Sequence, residues 1–265
     1  MMKGPSMKTE LEIKDDVKEK YAQIAKGQIS TVAAKSSCCG PEPSSCCGTG
    51  SESLVQMSLD YNPEDLSSIP EGADLGLGCG VPTAFADLQK GYTVLDLGSG
   101  AGIDVFIAAR HVGITGKAIG IDMTEAMVEK AKMNAEKIKA TNVEFRLGEI
   151  EALPVANNSV DRVISNCVIN LVPNKENVFR EIFRVLKPGG KFTVSDIVVD
   201  GAISMEERNN AALWAGCISG AIDRKEYIGI IKKAGFTNVE IVSEKHYDYK
   251  LDNARLNSIT ISGTK

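Results

Sequence analysis

The sequence predicts an α/β fold built on a doubly wound, mostly parallel sheet of seven strands, and three observations carry that prediction. From residue 92 onward, apolar runs of strand length alternate with amphipathic stretches of helix length. A glycine-rich turn, LDLGSGAG at 95–102, joins the first such strand to the first such helix. Two further strand-like runs near the end, NVEIVSEKHY and RLNSITISG, close the sheet.

Residues 9–29 are strong helix formers with Ile13, Val17, Tyr21 and Ile24 at helical spacing, which predicts a solvated amphipathic lid. Residues 36–53 (SSCCGPEPSSCCGTGSES) read as a loop by composition. Residues 1–74 are therefore expected to form a helical and cysteine-rich extension, and 75–265 the domain proper. LGLGCGVP leads into a short helix near 83–90. The strand YTVLDLG is followed by the helix GIDVFIAARHV, and the strand KAIGID by the helix EAMVEKAKMNAEKI, with Thr124 at its N-cap. VEFRLG and DRVISNC are the next two strands. The helix KENVFREIFRVL stops at the Pro188-Gly189-Gly190 turn, before the strand KFTVSDIVV. Residues 204–220, with ALWAGCISGA, read as a helical insert, and RKEYIGIIKKAG as the last helix. No internal repeat is evident.

Composition narrows the function. Hydrophobic residues at 43% and charged residues at 25% are those of an ordinary globular protein. A net charge of -5 argues against nucleic acid as a partner, because phosphates demand a basic face. No apolar run approaches the ~18 residues of a membrane span. The first thirty residues lack the apolar stretch of a signal peptide, so a cytoplasmic location is expected. Of 7 cysteines, four form the doublets Cys38-Cys39 and Cys46-Cys47, and Cys79, Cys167 and Cys217 are dispersed. In a reducing compartment such thiols stay free, which favours metal binding or thiol chemistry over a disulfide framework.

The glycine turn is a ligand cradle. Gly98, Gly100 and Gly102 allow tight turning and close approach, and the helix beyond presents free amides. Asp122, 20 residues after Gly102, ends the next strand, where it can accept hydrogen bonds from two ribose hydroxyls. The spacing is GxGxG, not the GxGxxG of dinucleotide enzymes, and the preceding Asp96 suits a ligand with an ammonium group better than a pyrophosphate.

With Asp96, Gly98, Ser99, Gly100 and Gly102 in this order, residues 75–265 resemble the class I S-adenosylmethionine-dependent methyltransferases. The resemblance implies that Asp122 holds the ribose and that Met123 packs on the adenine. It places Glu149 and Ile150 at the adenine edge and Asn166 facing the methyl-transfer site. It also makes KPGG at 187–190 a turn of the same fold.

The dispersed cysteines point to the acceptor. Cys167 ends the fourth strand beside Asn166, Cys79 sits in a glycine-flanked turn before the first strand, and Cys217 belongs to the insert. Trivalent arsenic is soft and prefers thiolate sulfur. Three thiolates leave it a lone pair as nucleophile, so in-line transfer needs positioning and no general base. His111 and His246, the only histidines, lie near none of these motifs. GLGCGVP, SNCVINLVPNKENVFREIFRVLKPGG and WAGCISGA are similar to segments of the arsenite methyltransferases. That resemblance implies arsenic ligation by Cys167 and Cys217, with Cys79 as third thiol or as the one that attacks and rearranges. It further implies thiol exchange by one of Cys38, Cys39, Cys46 and Cys47, arsenite or its thiol conjugates as substrate, and glutathione or a thioredoxin as reductant. Some members carry a further carboxyl-terminal domain, which is not expected within these residues. Two other readings are an organic acceptor, which would need a base, and a non-catalytic thiol-rich metalloid- or zinc-binding protein, which would not need the glycine cradle.

Overall fold

The computed structural model describes residues 9–29, 61–67, 69–210, 213–214, 216–251 and 253–265. The described secondary structure comprises α1 (Glu10–Ala25), α2 (Pro63–Leu66), a 3₁₀ turn (Pro82–Ala84), β1 (Thr93–Leu97), α3 (Ile103–Val112), β2 (Lys117–Asp122), α4 (Glu125–Lys137), β3 (Val143–Leu147), β4 (Val160–Asn166), a second 3₁₀ turn (Ile169–Leu171), α5 (Lys175–Val185), β5 (Leu186–Gly201), α6 (Met205–Arg208), α7 (Arg224–Lys233), β6 (Thr237–Lys250) and β7 (Ala254–Thr264).

The seven strands form one sheet in the order β3-β2-β1-β4-β5-β7-β6. β1 to β5 run parallel and β7 is antiparallel to both β5 and β6, as the sequence predicts for a mostly parallel sheet. β1 and β4 bury apolar side chains on both sides of the sheet, Val94 and Ile164 on one and Leu95 and Val163 on the other, because helices cover both faces. α3 and α4 pack one face around Val105, Phe106 and Ala131; α5 and α7 pack the other around Phe179, Ile182 and Tyr227. Strand order reverses between β1 and β4, so the crevice of this fold opens at the carboxyl ends of those two strands.

Four local expectations need correction. The helix expected near 83–90 is only the turn Pro82–Ala84, because Asp87 takes a left-handed φ of 47° that no helix accommodates. Thr124 stands at the N-cap of α4, but its side chain makes no capping bond; its N–H donates to Asp122 Oδ1 instead. Pro188–Gly190 does not separate α5 from the next strand. β5 begins at Leu186, and these residues form an irregularity in the ladder, where the register to β4 shifts between Val160 and Arg162. Finally, Cys217 is not on a helix. Among the described residues of 204–220 the named helix is α6, opened by a Ser204–Glu207 capping box, and Cys217 follows in a turn with φ 61°.

α1 is fixed to the body rather than free. Val17 and Ile24 are buried, and Lys14 and Lys18 reach residues after β3. Thr9 caps it through a reciprocal bond with Glu12.

Candidate active site

The glycine cradle has the backbone that its sequence demands. Gly98, Gly100 and Gly102 all have positive φ, at 66°, 52° and 102°, a region costly for residues with a Cβ. A Cβ on Gly98 would overlap Val168, so the turn after β1 touches the turn after β4 directly. Asp122 is bound into the same turn: Gly100 N–H donates to Oδ2 at 2.9 Å and Thr124 N–H to Oδ1 at 2.8 Å. A carboxylate accepts about four hydrogen bonds, so capacity remains for two ligand hydroxyls. Beside it Asp96 is buried, and burial, with Asp104 and Asp122 as like charges, pushes its carboxyl well above the usual range. A cationic group is the ligand that would relieve that penalty.

Asp96, Gly98, Ser99, Gly100 and Asp122 line one cleft of about 970 Å³, mouth included; Gly102, expected with them, does not, because a Cβ there would face Phe106 and Phe145. Met123, Ile150 and Glu149 line it too, although Glu149 faces α1: Lys14 Nζ lies 2.8 Å and Lys18 Nζ 3.3 Å from its carboxylate. Lys14 also pairs with Glu151. α1 therefore forms a wall of the cleft, and its Tyr21 lines it beside Cys167.

Of the three dispersed cysteines, Cys167 lines the cleft; the sulfurs of Cys79 and Cys167 lie within 4.8 Å of each other, and Cys217 stands outside that group in the same packed cluster. Cys79, Cys167 and Cys217 are all buried, all free, and belong to one packed cluster with Val17, Leu171 and Ile197. Cys217 Sγ–H donates to the Cys167 carbonyl at 2.7 Å. Hydrogen bonds with the Cys217 and Cys79 thiols, together with burial, hold the Cys167 thiol well above the ordinary range; burial raises that of Cys79. Both Cys167 and Cys217 adopt left-handed backbone, with φ 60° and 61°. For a residue other than Gly, Asn or Asp such strain persists only where the surroundings impose it.

Two asparagines tie the neighbouring segments together. Asn166 Oδ1 accepts from Cys79 N–H at 3.0 Å and Gly80 N–H at 3.2 Å, while its Nδ2 donates to the Gly80 carbonyl at 2.8 Å. The same Nδ2 reaches Tyr61 Oη and Asp104 Oδ2, each at 3.1 Å. Asn170 Nδ2 donates to the Ile197 carbonyl at 2.6 Å and the Cys217 carbonyl at 3.3 Å. Glycines make room for these approaches. A Cβ on Gly78 would stand 2.7 Å from Asn166 Nδ2, one on Gly80 2.5 Å from Ser195 Oγ, and one on Gly220 would overlap the Asn170 carbonyl oxygen. Ser258 Oγ–H completes the clamp by donating to the Cys79 carbonyl at 2.7 Å.

The sequence reading missed Tyr61, Asp104, Asn170, Asp196 and Ser258. Asp104 left one signal, a carboxylate on a helix whose other early residues are apolar; burial raises it to about 6. The others left none, since their partners lie at least 27 residues away in sequence. His111 pairs with Asp65 and His246 with Asn257, away from the site. Cys38, Cys39, Cys46 and Cys47 lie outside the described residues. No helix among the described residues is long and apolar enough to cross a membrane.

Comparison with known proteins places this geometry. The model of a methyltransferase-domain family matches residues 88–253. The chain is 44% identical over 236 residues to an arsenite methyltransferase of Halobacterium salinarum, covering 87% of this chain and 59% of that protein. It is 34% identical to an arsenite methyltransferase of Rattus norvegicus, covering 94% of this chain and 68% of the relative. The crystal structure of an arsenic(III) S-adenosylmethionine methyltransferase from Chlamydomonas reinhardtii superposes with a TM-score of 0.66 at 34% identity, over 78% of this chain and 71% of that one. Against the Halobacterium protein, then, the chain spans about three fifths of the relative's length.

Proposed function

The chain belongs to the arsenite methyltransferase family, and from that premise we propose that it methylates trivalent arsenic, with S-adenosylmethionine as methyl donor. One observation carries the proposal: three thiols from residues 79, 167 and 217 share one buried cluster that adjoins the glycine cradle.

The residues fit that cofactor. Asp96 would hold its ammonium group, Gly98, Ser99 and Gly100 would accommodate it by backbone approach, Gly102 would let the turn pack on Phe106 and Phe145, and Asp122 would bind the ribose. Met123, Ile150 and Glu149 would border the adenine. When bound, S-adenosylmethionine supplies an electrophilic methyl on a sulfonium. Asn166 lines the cleft, but its amide is engaged with the Cys79 turn, so its part is to position that turn.

Cys79, Cys167 and Cys217 hold the substrate. Each thiol proton leaves with a hydroxide of arsenite as water, so the thiols bind without net proton release. The protein keeps the metalloid's lone pair free as nucleophile, and the attacking atom carries no proton. No base is needed, and neither histidine stands nearby. One of Cys38, Cys39, Cys46 and Cys47 relays thiol exchange, with glutathione or a thioredoxin as reductant. Free thiols of this kind suit the reducing cytoplasm. Residues 1–74 act as the extension and 75–265 as the catalytic domain.

The test is an incubation with methyl-labelled cofactor, arsenite and a thiol reductant, followed by separation of arsenicals. Labelled methylarsenic is expected from the native chain. Cys167→Ser and Cys217→Ser should each yield none while still binding the cofactor. Full turnover by either variant would overturn the assignment.

A further inference from the structure

Cys79 and Cys167 have a neighbour of a different chemical kind. Asp196, on β5, is fully buried, and one of its oxygens and the two sulfurs lie within 4.8 Å of one another. An ion at the centre of a triangle with that edge stands about 2.8 Å from each corner, only a few tenths of an ångström beyond a metal–thiolate bond. The carboxylate is already oriented. Ile197 N–H donates to Oδ1 at 3.0 Å and Tyr227 Oη–H to Oδ2 at 3.1 Å, and such outer partners are what fix a ligating group.

Trivalent arsenic has no use for this oxygen, because three sulfurs complete its pyramid and the lone pair fills the fourth direction. A closed-shell divalent cation differs: it takes four donors tetrahedrally and accepts carboxylate oxygen together with thiolate. We infer that Cys79, Cys167 and Asp196 form a second coordination set, for zinc or cadmium, which shares two thiols with the metalloid site and therefore excludes the metalloid. Cys217, bonded to the Cys167 carbonyl, lies outside this group, so a water completes the tetrahedron.

Charge supports the set. Two thiolates and a carboxylate carry three negative charges against the two of the cation. The ammonium of Lys175, buried and interacting electrostatically with Asp196, offsets the third. Each ligating thiol gives its proton to solvent, so uptake is accompanied by acidification. The consequence for turnover is competitive inhibition by the cation.

This inference deepens the metalloid reading and rests on it for the shared thiols. The experiment uses the full chain with Cys38, Cys39, Cys46 and Cys47 all changed to Ser, which removes the other vicinal thiols. Cadmium is titrated while the thiolate charge-transfer band is followed, and ¹¹³Cd NMR reads the donor set. One tightly bound cadmium with a mixed sulfur–oxygen shift is expected, displaced by arsenite. Asp196→Asn should weaken cadmium by about tenfold or more, the least expected when even an outer partner is lost. Arsenite affinity, read from Trp214 fluorescence, should stay within about twofold, because that ligand needs sulfur alone. An all-sulfur shift, or equal cadmium affinity in a folded Asp196→Asn chain, overturns the inference; the NMR arm needs no variant and decides the matter if that chain misfolds. Arsenite bound without any cadmium uptake also overturns it and leaves the metalloid reading standing. Cadmium bound with a mixed shift, but no arsenite binding, would retain the cation set and defeat the metalloid reading.

Discussion

Replacing Asn166 by Ala removes the two bonds accepted from Cys79 and Gly80 N–H and the two amide protons shared among the Gly80 carbonyl, Tyr61 and Asp104. A typical bond of this kind contributes about 0.5–1.5 kcal/mol net. Tyr61 also bonds Asp104 directly, so that part of the network survives and the loss is smaller than a full sum. The stability loss should therefore be about 3 kcal/mol. In a chain of this size each 1 kcal/mol shifts Tm by roughly 2–4 °C, so melting should fall by about 6–12 °C. The more informative assay is local. Cys79 is only 4% exposed, and Asn166 is what ties its turn to the end of β4. Alkylation of Cys79, followed by mass spectrometry, should accelerate in Asn166→Ala and less so in Asn166→Asp, which keeps the acceptor oxygen. If Asn166→Ala melts within a degree or two of the native chain and Cys79 stays equally protected, Asn166 is not what gathers the thiols.

Three further outcomes are expected. Asp122→Ala should weaken S-adenosylmethionine binding by about 1.5–3 kcal/mol, roughly 10- to 150-fold by calorimetry, since it removes charge-assisted bonds; unchanged affinity would place the ribose elsewhere. Gly220→Ala drives a Cβ into the Asn170 carbonyl and should cost about 1–3 kcal/mol and reduce arsenite affinity, measured by thermal melting and Trp214 fluorescence; a native-like variant would show that the Cys217 turn yields easily. Burial raises Asp104 from 3.8 to about 6, so between about pH 4 and 6 the folded chain holds a proton that the unfolded chain has lost. Stability from this group therefore falls as pH rises through that window, by on the order of 3 kcal/mol, and levels off above it. Urea unfolding of Asp104→Asn relative to native should show that pH dependence, and parallel curves would refute it.

The sequence by itself determined what is local or periodic. Strand and helix order followed from hydrophobic periodicity, and the cradle from three glycines and two aspartates within 27 residues, because a tight turn and a close ligand approach leave few residue choices. It also singled out the three dispersed cysteines, since their positions relative to strand ends could be read. Only the tertiary structure decided how they meet. The left-handed turns at Cys167 and Cys217, the clamps by Asn166 and Asn170, and the carboxylate of Asp196 beside the sulfurs all depend on contacts between segments far apart in the chain. The sequence reads the backbone of Cys217 as helical for the same reason: its turn is held by bonds to the Cys167 carbonyl and from Asn170, and neither its residue type nor its neighbours encode that.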